Sequence, residues 1–124
     1  MTRIVFVLLL SVAPAWGATA VFAQGADAAP GQSLFQRRCG ACHQIETPRN
    51  GVGPHLQGVI GREAGDVEGF NYSPVLRDSG ITWNAETLEA YLSNPAAMVR
   101  GTRMTQRFND ADERRAIIEF LASE

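Results

Sequence analysis

The most informative segment of this 124-residue chain is Cys39-Gly40-Ala41-Cys42-His43. Its C-x-x-C-H pattern is typical of covalent haem attachment. Two thiols at this spacing near the end of a helix can add to the two vinyl groups on one edge of a haem, and the adjacent imidazole can then reach the iron. The segment therefore predicts one haem c bound through Cys39 and Cys42, with His43 as a ligand of the iron.

Three other interpretations of the cysteine pair are weaker. A thioredoxin-like redox pair belongs to a βαβ unit, and the chain shows no such pattern. A zinc site needs four ligands, and beyond this cluster only His55 remains. A structural disulfide would suit an exported protein, but the histidine directly after the second cysteine favours haem.

The N-terminus resembles a secretory signal peptide over residues 1–23. It has a positively charged start, an apolar run and small residues up to Ala23, and Ala20 is a competing cleavage position. An uncleaved membrane anchor is disfavoured, because Pro14 interrupts an apolar run that is already shorter than the roughly 20 residues of a spanning helix. We therefore expect export to the periplasm and no membrane span in the mature form.

The mature chain is expected to consist of a short flexible tail, residues 24–30, and one folded domain, residues 31–124. The formal net charge is −2 and becomes −3 when Arg3 leaves with the signal peptide, which argues against nucleic acid as a partner. The sequence contains no lysine, so every fixed positive side chain is an arginine.

Hydrophobic spacing and cap residues predict four helices and no strand, hence an all-α fold. The helices are expected over residues 32–42, over 72–78, from Asn84 to the Asn-Pro pair at 94–95, and from Asn109 or Asp110 onward. Between the first two helices, residues 47–73 contain six glycines and two prolines. So long a loop in a small domain is unusual unless it wraps around something, which is a first indication that a cofactor serves as the core.

A second iron ligand must come from elsewhere in the chain, and the candidates are Met98, Met104 and His55. Methionine is the usual partner of histidine in haem electron carriers. Met104 lies in a turn-rich segment between two helices, where a loop can bring its sulfur over the haem, so we predict His43 and Met104 as the metal ligands. We expect Met98 to pack in the core and His55 to face solvent or bond locally.

Together these motifs resemble the class I cytochromes c, in particular the small bacterial proteins similar to mitochondrial cytochrome c. The resemblance covers residues 31–122 and rests on ordered landmarks. Besides the haem-attachment segment, these landmarks are Gly53-Pro54-His55-Leu56, Gly61-Arg62, Phe70-Asn71-Tyr72-Ser73, Ile81-Thr82-Trp83, Tyr91-Leu92-Ser93-Asn94-Pro95 and Gly101-Thr102-Arg103-Met104. It implies that the first and last helices cross and that the loops wrap around one haem.

The resemblance also implies roles around the haem. Pro54 would accept a hydrogen bond from the ring of His43, and Thr102 would join Tyr91 beside the sulfur of Met104. Three further side chains would hold the haem propionates: Arg62, Tyr72 and Trp83. Where the terminal helices cross, the resemblance pairs Gly31 and Phe35 with Ile117 and Phe120.

The chain departs from the family pattern near the predicted methionine ligand. Arg100 stands where the family usually has a proline, Arg103 replaces a lysine, and Gln106 replaces an aromatic residue, although Phe108 lies nearby. A turn without that proline can release Met104 more easily. Two functions follow as hypotheses: an electron carrier, and a ligand-binding or peroxidatic haem protein with a labile Met104.

We expect an electron-transfer protein, not an enzyme, that works as a monomer. Its partners would be redox proteins, such as membrane complexes, an oxidase or a periplasmic dehydrogenase, met in brief contacts of small area. Five arginines could form a basic rim around the exposed haem edge, or could simply be solvated: Arg37, Arg38, Arg100, Arg103 and Arg107.

Overall fold

The computed structural model describes residues 28–124. The predicted signal peptide and residues 24–27 of the predicted tail lie outside this range. The described chain forms five α-helices: α1 (Ala28–Arg38), α2 (Pro74–Arg77), α3 (Ala85–Ser93), α4 (Pro95–Met98) and α5 (Ala111–Ser123). Across residues 28–124 the only β pairing is an isolated antiparallel bridge between Glu63 and Thr82. The all-α fold is confirmed, and no helix in this part of the chain is long and apolar enough to span a membrane.

The first helix differs from its prediction at both ends. It begins at Ala28, so residues 28–30 belong to the helix and not to a tail; Pro30 is tolerated because it lies in the first turn. The helix ends at Arg38 instead of residue 42. The regular ladder stops there, since Gly40 N–H donates to Phe35 O, five residues back, and shares this acceptor with the ordinary helical bond from Cys39 N–H.

Side-chain caps set the starts of the two longer helices that follow. Asn84 Oδ1 accepts from Thr87 N at 2.9 Å, and Asn84 N donates to Thr87 Oγ1 at 2.9 Å, which completes a capping box on α3. At α5, Asp110 Oδ1 accepts from the N–H groups of Asp112 at 2.8 Å and Glu113 at 3.2 Å. Both predicted starts are confirmed. The extra one-turn helix α4 follows because Pro95 is well suited to a first helical turn.

The terminal helices α1 and α5 pack against each other through a glycine and two phenylalanines. A Cβ on Gly31 would lie 2.3 Å from Ala116 O and 2.8 Å from Phe120 Cβ, so only glycine allows this approach. The ring centroids of Phe35 and Phe120 are 5.4 Å apart, and Ile117 is 1% exposed. The expected contact between the first and last helices is confirmed.

The glycine-rich middle of the chain forms loops that one side chain ties together. Asn50 Nδ2 donates to Glu68 O at 3.2 Å, and Asn50 Oδ1 accepts from His55 N at 3.1 Å. These bonds join parts of the loop that are far apart in sequence. The loop therefore has a defined path although it has almost no regular structure.

We expect Gly31→Ala to lower the free energy of unfolding by about 1–3 kcal/mol, because the added methyl group overlaps Ala116 O and forces the helices apart. Urea denaturation of the purified protein measures this. The control is Gln32→Ala, at the neighbouring exposed position, which should change stability by less than about 0.5 kcal/mol. Equal effects of the two substitutions would contradict the close contact.

Candidate functional site

The centre of the molecule is a cavity of about 670 Å³ lined mainly by apolar side chains. Protein interiors are close-packed and rarely contain voids larger than a water molecule. A volume of this size is instead typical of a site for a large organic ligand or cofactor. The helices and loops thus surround a space into which a flat, mostly apolar group fits.

All ten residues predicted to form the site line this cavity, although they come from separate parts of the chain. They are Cys39, Cys42, His43, Pro54, Arg62, Tyr72, Trp83, Tyr91, Thr102 and Met104. The first three follow α1, and the next three lie in the loops between α1 and α2. Of the last four, Trp83 lies just before α3, Tyr91 is in α3, and the other two are in the segment between α4 and α5.

The His43 imidazole is held in one orientation by the loop that faces it. Its Nδ1 lies 2.7 Å from Pro54 O, and because a carbonyl can only accept, Nδ1 must carry the proton. Burial lowers the pKa of His43, against a smaller raising effect of the bond to Pro54. The ring is therefore neutral, and its Nε2 lone pair is free to bind a metal.

Gly53 allows this arrangement, since a Cβ at that position would lie 2.3 Å from His43 Cε1. The loop backbone thus passes directly against the imidazole, where no side chain fits.

Cys39 and Cys42 do not form a disulfide with each other. Burial raises the pKa of the Cys39 thiol to about 11, against a smaller lowering by the charge of Arg38. A redox-active pair needs a lowered thiol pKa, so a thioredoxin-like role is disfavoured. Nor do residues 28–124 contain a group of three or more His, Cys, Asp or Glu side chains that could hold a metal ion. Two free thiols beside an imidazole, at one cavity wall, fit covalent haem.

A second part of the lining is polar. Arg62 donates to His55 O at 2.9 Å and to Gln57 O at 3.0 Å, and burial lowers the pKa of its guanidinium. Burial also raises the pKa of the Tyr72 phenol. Arg62 makes no salt bridge within the described range. A partly buried cation without a carboxylate is suited to an anionic group of a ligand.

The Met104 side of the cavity is held by a buried polar pair. Tyr91 OH and Thr102 Oγ1 are 2.7 Å apart, and burial raises the pKa of Tyr91 more than this hydrogen bond lowers it. Met104 is half-buried and lines the cavity, whereas Met98 packs against the hydrophobic core and does not line it. This distribution agrees with the choice of Met104 over Met98 as the ligand candidate.

His55 and the five arginines of the possible basic rim lie in different surroundings. The His55 N–H donates to Asn50 Oδ1 at 3.1 Å, so this residue bonds locally, while its side-chain Nδ1 is buried without a hydrogen-bond partner among residues 28–124. Of the five arginines considered as a basic rim, Arg103 alone lines the cavity. Arg38 instead forms an ion pair, with its Nη2 3.5 Å from Glu113 Oε2. Its guanidinium also lies over the Phe108 ring, with Cζ 5.2 Å from the ring centroid.

Sequence reasoning did not assign several apolar residues to the cavity: Leu56, Val59, Leu76, Leu88, Leu92 and Leu121. Their helical or alternating spacing marks them as buried. It carries no sign of whether a buried side chain meets another side chain or a cofactor.

The comparisons with known proteins agree with this site. The family model described as Cytochrome c matches residues 28–124. Cytochrome c2 of Rhodomicrobium vannielii is 39% identical over 120 residues, covering 95% of this chain and 94% of that protein. Cytochrome c2 iso-2 of Magnetospirillum molischianum is 42% identical over 97 residues, covering 77% and 96%.

Among solved structures, cytochrome cH from Methylobacterium extorquens matches with a TM-score of 0.72 at 39% identity, covering 79% of this chain and 99% of its own. The resemblance to class I cytochromes c is confirmed, and with it the function class of electron transfer. The chain belongs to the cytochrome c family and carries one haem c, attached covalently through Cys39 and Cys42.

Proposed function

We propose that this protein is a periplasmic one-electron carrier whose haem iron is bound by His43 and Met104. The observation that carries the proposal is that a neutral His43 with a free Nε2 and the thioether of Met104 line the same cavity. When bound, haem c supplies a one-electron iron couple. His43 and Met104 would both bind the iron and so discourage the binding of other molecules there.

The surrounding side chains keep the ligands and the charge in place. The bond from His43 to Pro54 O holds the imidazole orientation and raises its basicity as a ligand. Arg62 and Tyr72 would offer N–H and O–H donors to the haem propionates, and Trp83, whose backbone N–H donates to Arg62 O at 2.9 Å, would add an indole N–H. The apolar remainder of the cavity would limit the access of water to the bound group and so favour a positive potential.

Export and partner choice belong to the same proposal. Residues 1–23 have the composition of a signal peptide, which agrees with a periplasmic carrier. The protein would act as a monomer and exchange electrons with other redox proteins through short-lived contacts.

The visible absorption spectrum of the haem-loaded protein tests the ligands. We expect sharp low-spin bands on reduction and, in the oxidised protein, a weak sulfur-to-iron band that disappears in Met104→Ala. The matched control is Met98→Ala, which removes the other thioether of the described chain and should retain the band. If the band survives in Met104→Ala, or is absent from the wild type, Met104 is not the resting ligand.

A second function, ligand binding or peroxidatic chemistry after Met104 leaves, is favoured by one observation. Thr102 N donates to Val99 O at 3.1 Å and Gly101 has φ +91°, so residues 99–102 form a type II turn with Arg100 at its second position. Proline is common at that position because it restricts φ. The arginine leaves the turn freer to open.

We expect Arg100→Pro to stabilise the protein by about 0.4–1 kcal/mol and to weaken carbon monoxide binding by the reduced protein. Proline fits there: Val99 is extended, with φ −131° and ψ 93°, and Arg100 N makes no backbone hydrogen bond within residues 28–124. Arg100→Ala is the control, because it removes the same charge without restricting the backbone. Tight carbon monoxide binding by the wild type at neutral pH would favour ligand binding or peroxidatic chemistry over electron transfer.

A further inference from the structure

The segment that carries Met104 has little hydrogen bonding of its own. Within the described chain, no backbone–backbone hydrogen bond reaches residues 103–107. Arg103 Nη1 donates to Asn71 O at 2.6 Å and Arg107 Nε donates to Ser93 O at 3.4 Å, but both of these side chains are exposed. The position of Met104 therefore depends on how the two ends of the segment are held.

At the first end, the Val99–Thr102 turn and the Tyr91–Thr102 bond attach the segment to α3. At the second end, the segment uses a carbonyl group that the end of α3 leaves free. Phe108 N donates to Leu92 O at 2.9 Å, and the last four carbonyls of a helix have no partner within it. The Phe108 side chain is completely buried.

Arg114 of α5 completes the second attachment. Its Nη1 donates to Phe108 O at 2.6 Å, while its Nε and Nη2 lie 2.7 and 2.6 Å from Glu89 Oε1 on α3. The Arg114 side chain is only 12% exposed. Glu89 and Leu92 are three residues apart on α3 and thus lie on the same face. The contacts form a closed ring that runs from α3 through Arg114 and Phe108 back to α3.

We propose that Arg114, oriented by Glu89, is a positioning residue that keeps Met104 in its place by holding Phe108. The planar guanidinium suits this role, since it presents several donors at fixed angles to two acceptors at once. Loss of the contact frees the end of the segment nearest α5 and raises the fraction of molecules in which Met104 is displaced. The inference rests on the proposed function, because it takes Met104 as the iron ligand.

Imidazole binding to the oxidised, haem-loaded protein measures that fraction. A ligand that needs the displaced state binds with an apparent affinity proportional to the population of that state. We expect Arg114→Gln to raise the apparent imidazole affinity about tenfold, in line with the loss of hydrogen bonds to a charged group. Glu89→Gln should raise the apparent imidazole affinity by about threefold. This milder variant tests the inference if Arg114→Gln does not fold.

Two controls separate positioning from general destabilisation. Arg115→Gln removes the neighbouring ion pair with Asp112, in which the Arg115 side chain is 65% exposed and the Asp112 side chain 85%. Imidazole affinity should stay within about twofold of the wild-type value. Gly31→Ala weakens the contact between the terminal helices, away from the Met104 segment. It should lower the urea midpoint but keep imidazole affinity within about twofold of the wild-type value.

Hydrogen exchange at the Phe108 amide gives a readout that does not involve the iron. It should become about tenfold faster in Arg114→Gln than in Arg115→Gln. The inference is overturned if the two arginine variants behave alike, or if Gly31→Ala raises imidazole affinity as much as Arg114→Gln does. A failure of the proposed function looks different: the sulfur-to-iron band would survive in Met104→Ala, while the Phe108 amide would still report on Arg114.

Discussion

The structure depends on a space that the polypeptide does not fill by itself. A cavity of about 670 Å³ stands where a domain of this size would normally have its densest packing. The contact of α1 with α5, at Gly31 and Phe35, closes one region around it, and long loops close much of the rest. Loop side chains such as Leu56, Val59 and Tyr72 line the cavity, so a group that occupies it would pack against the loops as well as the helices. The covalent attachment through Cys39 and Cys42 ensures that this group stays.

The two proposed iron ligands are held in different ways. His43 is confined by the Gly53 backbone and by the bond to Pro54 O, both in the loop that closely follows it. Met104 lies in a segment without internal backbone hydrogen bonds, and its restraints come from helices α3 and α5. Such an arrangement lets the methionine side respond to small changes in packing while the histidine side stays fixed. How firmly Met104 is held would therefore favour either electron transfer or ligand binding.

Much of the chemistry could be predicted because it is local in sequence. The C-x-x-C-H segment identifies the haem and one ligand, and Asn84 and Asp110 mark helix starts through bonds to residues two or three positions away. The predicted end of α1 was wrong by four residues, because the Gly40–Phe35 backbone bond that ends the helix involves no side chain and leaves no sign in the sequence. Its start was wrong because Pro30 is compatible with both a loop and a first helical turn.

The cofactor, the all-α class and the short list of ligand candidates could be predicted from the sequence, since each depends on residue types at close spacing. That Met104 lines the cavity and Met98 does not is a result of tertiary packing. It alone joined Arg114 to both Glu89 and Phe108. These contacts link residues on different helices and loops, whose approach is set by packing of the whole chain and leaves no periodic mark in the sequence.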